Sequence, residues 1–400
     1  MKYILGILLI LFASYADIFL HRIHIIPVSP SSGPIPIFLG LFLLNYSIKD
    51  FSNTFKSHTF KFLVFIFIVS VVYSAFSDAP MDVISTEIGL NVITIILYCF
   101  ALHFFTVENK KTVLFVMASA LCVLGGSLLY DFFIGLPEYN KNLSEAVRKG
   151  GFGENPNQAA SGIKFLSLAV LALINKNKTW LYITVTFMLV TVFLTLSRSG
   201  MASVILILVI GTMNSWSSEF LIKPRTFFLN SIKLTLLLIV FFMSLITFSE
   251  VIRESSPELS RGAAGERMDM FLGKSKVTID EGGAAGGRAL LLFKYWDDFQ
   301  KNPIGYGTGY TSDRRYNFLD THNYFLFLAV NFGFITLLVY LFYLGYGMKL
   351  SLDSPQFYYL IFLVLIVFEG FIANNIWYTR TLLICLAFFD SLIYKKKLYD

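Results

Sequence analysis

The chain has 400 residues, is 56% hydrophobic and only 14% charged, and carries a formal net charge of +6. Soluble domains carry about 25% charged residues, so the composition excludes an ordinary water-soluble domain and points to a polytopic membrane protein. Cys99, Cys122 and Cys385 all fall inside apolar runs and give neither a disulfide framework nor metal-ligand spacing.

The first apolar run, YILGILLILFASYADIFL, lacks a small-residue cleavage site and is followed by further spans, so it reads as a retained first helix. A span needs about 20 mostly apolar residues. Such runs centre near residues 11, 42, 68, 97, 123, 168, 188, 206, 240, 336, 363 and 385. The expected fold is therefore all-α, a polytopic integral membrane protein with about twelve transmembrane helices and one long periplasmic loop. The chain divides into N-terminal transmembrane helices (1–130), helices with a periplasmic loop at 131–157 (131–249), a large periplasmic loop (250–320), and C-terminal helices with a cytoplasmic tail (321–400). Lysine and arginine set the orientation. With Lys2 inside, alternate connections carry Lys49, Lys56 and Lys61, then Lys110 and Lys111, Lys176 and Lys178, Lys223, Arg225 and Lys233, Lys349, and the tail at Lys395. The opposite short connections are lysine-poor, and SDAPMDVISTE has none. Both termini are expected in the cytoplasm.

Residues 131–157, DFFIGLPEYNKNLSEAVRKGGFGENPN, form a medium outer loop. Further on, Arg198 interrupts apolar sequence in FLTLSRSGMASVILIL. An arginine at the bilayer centre costs about 2.5–3.5 kcal/mol or more. TLSRSG, however, reads as an outer turn between the seventh and eighth spans, which sets Arg198 at the membrane surface. Taken alone, it is a snorkelling arginine at a helix end.

The region 250–320 holds ten of the chain's 32 lysines and arginines although it faces outward. Long loops escape the positive-inside bias, and such a surface suits an anionic ligand. GAAGERMDMF (262–271) is echoed by GAAGGRALLLF (283–293), placing Arg267 and Arg288 in equivalent positions. Arg267 reads as part of a linker. After Arg288, Leu291, Leu292, Tyr295, Trp296 and Phe299 recur at helical spacing. They predict an amphipathic helix on the membrane surface, closed by Asn302–Pro303. GYGTGY (305–310) lacks Gly-Lys-Ser/Thr and follows no strand, so it reads as a turn rather than a phosphate loop. His322 then stands at the start of the tenth span beside Asp320 and Asn323. Histidine titrates near neutrality, which suits a general base; the alternative is a structural histidine that caps the helix with Asp320.

In order, GGFGENPNQAA, LSRSG, GGRALLLFKYWDDFQKNPIGYGTGY and HNYFLFLAVNFG resemble the O-antigen ligase/O-antigen polymerase superfamily of bacterial surface-polysaccharide enzymes. The resemblance runs over residues 145–345. Arg288 and Leu292 match the family's arginine–leucine pattern, and His322, Asn323, Gly333 and Thr336 its histidine–asparagine pattern. The resemblance implies a glycosyltransferase of the bacterial inner membrane, active on the periplasmic face, with no metal and no cofactor. Its donor would be an undecaprenyl-diphosphate-linked oligosaccharide, its acceptor a second lipid-linked glycan or lipid A-core. The first acceptor makes it a polymerase of O-antigen, capsule or exopolysaccharide units, the second a ligase; a pilin-type protein glycan ligase is a third form. HIIPVSPSSGPIP after the first span tilts the choice toward polymerase. The lipid bilayer is a further partner, a chain-length regulator or flippase could accompany it, and no nucleic acid is implied. The resemblance further implies that Arg198, Arg288 and Arg148 clamp the diphosphate and that His322 takes the acceptor's proton, with Asn157, Asn323 and Asp320 in support. Forked guanidiniums suit phosphate oxygens. The competing class is a transporter or lipid-linked glycan flippase, which would place charges at the midplane. Asp17, Glu87, Glu369 and Asp390 read instead as lying near helix ends.

Overall fold

The computed structural model describes residues 2–27, 33–136, 149–153, 155–174, 177–217, 219, 224–255, 265, 269, 284–317, 319–354 and 356–399. Among them all regular structure is helical. The chain begins with α1 (Lys2–Ala13), α2 (Ala16–Arg22) and α3 (Pro34–Asn45). A 3-10 turn, Ile48–Phe51, leads into α4 (Ser52–Lys56), followed by α5 (His58–Ser74), α6 (Met81–Val107) and α7 (Lys110–Phe133). Next come α8 (Pro156–Ile174), α9 (Lys178–Leu194), α10 (Arg198–Met213) and α11 (Pro224–Ser255). The last four are α12 (Ala284–Lys301), α13 (Tyr324–Asp353), α14 (Phe357–Gly370) and α15 (Arg380–Tyr399).

Each expected span centre falls inside one of these helices, but length divides them. Five are long and apolar enough to cross a membrane: α6, α7, α8, α13 and the stretch Phe227–Ser244 of α11. Two bent pairs raise the number to seven. One is α1 with α2, bent by 74° where Tyr15 takes φ 59°; the other joins Ile48–Lys56 to α5 at 91°. Helices α9, α10 and α14 have 17, 16 and 14 residues. At 1.5 Å per residue they fall short of a bilayer core about 30 Å thick. A run of apolar residues shows neither a bend nor where a helix stops, so about twelve full-length spans were expected where the described residues give five to seven.

The core lies around α8 and α15. Residues 162–171 and 381–391 are buried without interruption, as befits helices apolar on every side. Charged side chains help fasten this core. Arg380, the first residue of α15, pairs with Asp17 of α2. Asp390 accepts the Tyr98 and Tyr359 hydroxyls at 2.6 Å each. Asp390 had been expected near a helix end; it lies mid-helix because α15 continues through the lysine-rich tail to Tyr399.

Candidate functional site

Two of the motifs meet at the starts of α8 and α10. Asp131, near the end of α7, accepts the Gly150 and Gly151 amides at 3.2 and 3.1 Å, and Lys149 lies 3.8 Å away. Gly151 takes φ +56°, and a Cβ there would sit 2.7 Å from the Leu128 nitrogen, so this turn requires glycine. The pinned turn leads into α8, where Asn157 is exposed and accepts the Ser197 hydroxyl at 2.9 Å. Ser197 also caps α10 by accepting the Gly200 amide at 3.2 Å. Arg198 is therefore the first residue of α10, exposed, on the turn the sequence predicts.

A second group forms around a break in α13. Gly333 adopts φ 79° and ψ 177°, which interrupts the helix. The freed backbone groups are taken up by the GYGTGY segment. Tyr306 and Gly307 amides donate to the Val330 and Asn331 carbonyls at 2.9 and 3.0 Å, and Phe334 donates to the Pro303 carbonyl at 2.9 Å. The Asn331 side chain accepts the Thr311 amide at 3.1 Å and donates to the Thr311 hydroxyl at 3.2 Å. A broken helix is tolerated in a bilayer where its backbone is satisfied by protein in this way. The segment is a turn, as expected, and it also fastens α5. The Thr308 hydroxyl donates to the Ser70 carbonyl at 2.6 Å, and Tyr73 donates to the Ile304 carbonyl at 2.9 Å.

The amphipathic helix expected after Arg288 is α12. Leu291, Tyr295 and Phe299 pack onto Leu326 and Val330 of α13, while Leu292, Phe293 and Trp296 stay exposed. Burial raises the Tyr295 phenol pKa, and its hydroxyl donates to the Leu319 carbonyl at 2.6 Å. Arg288 is a backbone position in α12, and its side chain lies outside the described residues, as do Arg148 and Arg267 altogether.

His322 stands at the head of α13, half-buried, with φ 47°. Left-handed backbone is unusual for a residue with a side chain and worth a functional question. The cap of α13 is Asn323, which accepts the Leu326 amide at 3.1 Å. Asp320 lies 3.2 Å from Arg314. The cap bond of α13 is thus made by Asn323.

Residues 183–341 match the protein-family model described as O-antigen ligase. Over this segment the chain is similar to the O-antigen ligase/polymerase superfamily. No curated protein matches it. The matched segment carries Arg198, Arg288, His322, Asn323 and the Gly333 break, whereas Arg148 and Asn157 precede it.

The structure adds two buried groups that the sequence pattern does not place at the site. Glu87, in the second turn of α6, is buried and has one carboxylate oxygen without a hydrogen-bond partner. It receives a backbone hydrogen bond from Gly309 and interacts electrostatically with Asp320, Tyr324 and Tyr378. Its bond from Gly309 depends on the docked GYGTGY segment, a tertiary contact with no sequence signal. Lys164, in α8, is wholly buried, donates to the Ser203 hydroxyl at 3.0 Å and pairs with Glu369. A single lysine inside IKFLSLAVLALI leaves the apolar run intact, so the hydropathy pattern hides it. The pair ties α8, α10 and α14 together within two turns of Arg198. At the end of α14, Gly370 lies against Phe325, three residues beyond His322; a Cβ there would sit 2.9 Å from that ring.

Proposed function

We propose that the chain transfers a glycan from an undecaprenyl-diphosphate-linked donor to an acceptor hydroxyl on the periplasmic face of the bacterial inner membrane. Both termini are then cytoplasmic. The observation that carries this reading is Arg198, exposed at the first position of α10 and joined through Ser197 to Asn157 at the start of α8. Two helix N-termini and a guanidinium open on one face, an arrangement that favours an anion such as a lipid diphosphate. In this reading Arg198, Arg288 and Arg148 hold the diphosphate, and charge developing on the leaving oxygen is met by guanidinium forks rather than by a metal. As the bond from the sugar's anomeric carbon to phosphate breaks, the acceptor oxygen bonds to that carbon and His322 takes its proton. Undecaprenyl diphosphate leaves. Asn157, Asn323 and Asp320 support the turns that carry these groups.

Polymerisation of repeat units remains the first reading, on the HIIPVSPSSGPIP segment. The second is O-antigen ligation to lipid A-core, favoured by the description of the matching family. Transport has less support, because Lys164 with Glu369, Arg380 with Asp17 and Asp390 with two tyrosines are committed to holding helices together. A deletion strain examined by polysaccharide gel separates the readings. Loss of the long ladder with one repeat left on lipid A-core means polymerase, and loss of every capped species means ligase. An unchanged ladder, with purified protein inert toward lipid-linked donor, overturns both.

A further inference from the structure

On the face opposite His322, a cavity of about 960 Å³ opens where α8 ends and α7 and α9 begin. Leu114, Ile174 and Phe388 give it apolar walls. Its rim carries Lys110 and Lys178, the first residues of α7 and α9. Both lysines are exposed, and neither side chain has an ion pair or hydrogen bond among the described residues. Among the described residues no aspartate or glutamate lines the cavity. The two helices therefore point their positive ends and two ammonium groups at one opening, and these outweigh the carbonyl end of α8 on the same lining. Trp180, 56% exposed on the same rim, has the place of an indole at headgroup depth.

An apolar interior beneath a net cationic rim suits an amphiphile with a negative head. We propose that this cavity seats an anionic glycerophospholipid of the surrounding leaflet, its phosphodiester between Lys110 and Lys178 and its upper acyl segments against Leu114, Ile174 and Phe388. Basic pockets between helices on the lysine-rich side of membrane proteins bind such headgroups. A zwitterionic lipid gains less here, because among the described residues no carboxylate lines the cavity to receive its ammonium. A free phosphate would leave the apolar walls uncovered. The site is separate from the glycan chemistry, and its test does not depend on that reading.

The full chain, purified in detergent, is titrated with brominated phosphatidylglycerol while tryptophan fluorescence is recorded. Saturable quenching is expected, stronger than with brominated phosphatidylcholine and lost in Trp180→Phe. Lys110→Gln with Lys178→Gln should weaken the apparent affinity by roughly tenfold or more, since two charge-assisted contacts are removed. Equal quenching by the neutral lipid overturns the proposal, as does unchanged affinity in the double variant or a signal that persists in Trp180→Phe. Displacement of the lipid by millimolar inorganic phosphate would reduce the site to a simple anion site and overturn it too. If the double variant does not purify, the Tm of the wild-type protein gives a second reading. It should rise with phosphatidylglycerol and not with phosphatidylcholine, and an equal rise with both sinks the idea.

Discussion

Lys164 and Glu369 form an ion pair inside the helix bundle, and the lysine also donates to Ser203 at 3.0 Å. Ser203 in turn donates to the Ser199 carbonyl at 2.9 Å, one residue from Arg198. A buried charge that loses its partner is destabilising by about 3–5 kcal/mol, while removing both partners is often nearly neutral. Lys164→Met should therefore lower Tm sharply, and adding Glu369→Gln should recover most of the loss. Thermal unfolding in detergent checks this. A double variant no more stable than Lys164→Met would show that the two groups are not coupled.

The parts that were readable from sequence are those set by local pattern. The turn at Arg198 follows from two apolar runs flanking TLSRSG, and the α12 stripe follows from helical spacing after Arg288. What escaped depends on distant segments meeting. Ser197 finds Asn157 40 positions away, and Asn331 finds Thr311 across a helix break. Gly333 could be read as part of a motif but not as a break, because the groups that make the break tolerable come from residues 303–311. Hydropathy also measures run length without seeing the bends at Tyr15 and before His58 or the short lengths of α9, α10 and α14.

Gly333→Ala tests the clip between α13 and the GYGTGY segment. Its φ of +79° is strained for alanine, and the Ile304 carbonyl occupies the space of the new methyl. Backbone strain of this kind costs about 1–3 kcal/mol, and the Pro303–Thr311 segment should detach. Hydrogen exchange of residues 303–311 should rise in this variant. Gly345→Ala, where no atom lies within 4 Å of an added Cβ, is the matched control and should leave exchange unchanged. Equal protection in both variants would contradict the proposed clip.

Arg315 bonds Asp313 through its side chain at 2.8 Å and holds that carboxyl below its usual pKa; it also reaches the Asp78 carbonyl. A depressed folded pKa means this stabilisation is complete above the unfolded value, near 3.9. It is lost as pH falls through the lower folded value. The loop should loosen only in acid, below about pH 4. Hydrogen exchange at residues 313–317, corrected for intrinsic rates, should show that acid step in the wild type and not in Asp313→Asn. An identical step in the variant would assign it to another group.

The arginines are distinguished by substitution with lysine, which keeps charge and loses the planar fork. A charge-assisted hydrogen bond is worth about 1.5–3 kcal/mol, so Arg288→Lys and Arg198→Lys should each slow turnover by roughly tenfold to a hundredfold. Arg267→Ala, at the echo position, should be mild. Full activity in Arg288→Lys would mean that a diffuse positive field suffices, and equal damage at Arg267 would transfer the role to the first repeat.

His322 offers the sharpest test, because its backbone and its chemistry can be separated. Its φ of 47° lies in a region that asparagine adopts more readily than most residues, so His322→Asn should keep the turn before α13. Asn323 makes the cap bond of that helix, accepting the Leu326 amide at 3.1 Å, so neither His322→Asn nor His322→Gln should unfold it. If His322 accepts the acceptor's proton, both variants should insert and bind lipid-linked donor normally while turnover falls by about 10²–10⁴-fold. A structural histidine predicts the reverse for His322→Asn, with turnover close to wild type. Donor binding and turnover measured separately in the two variants distinguish these outcomes, and near-normal turnover in either one removes His322 from the proton transfer.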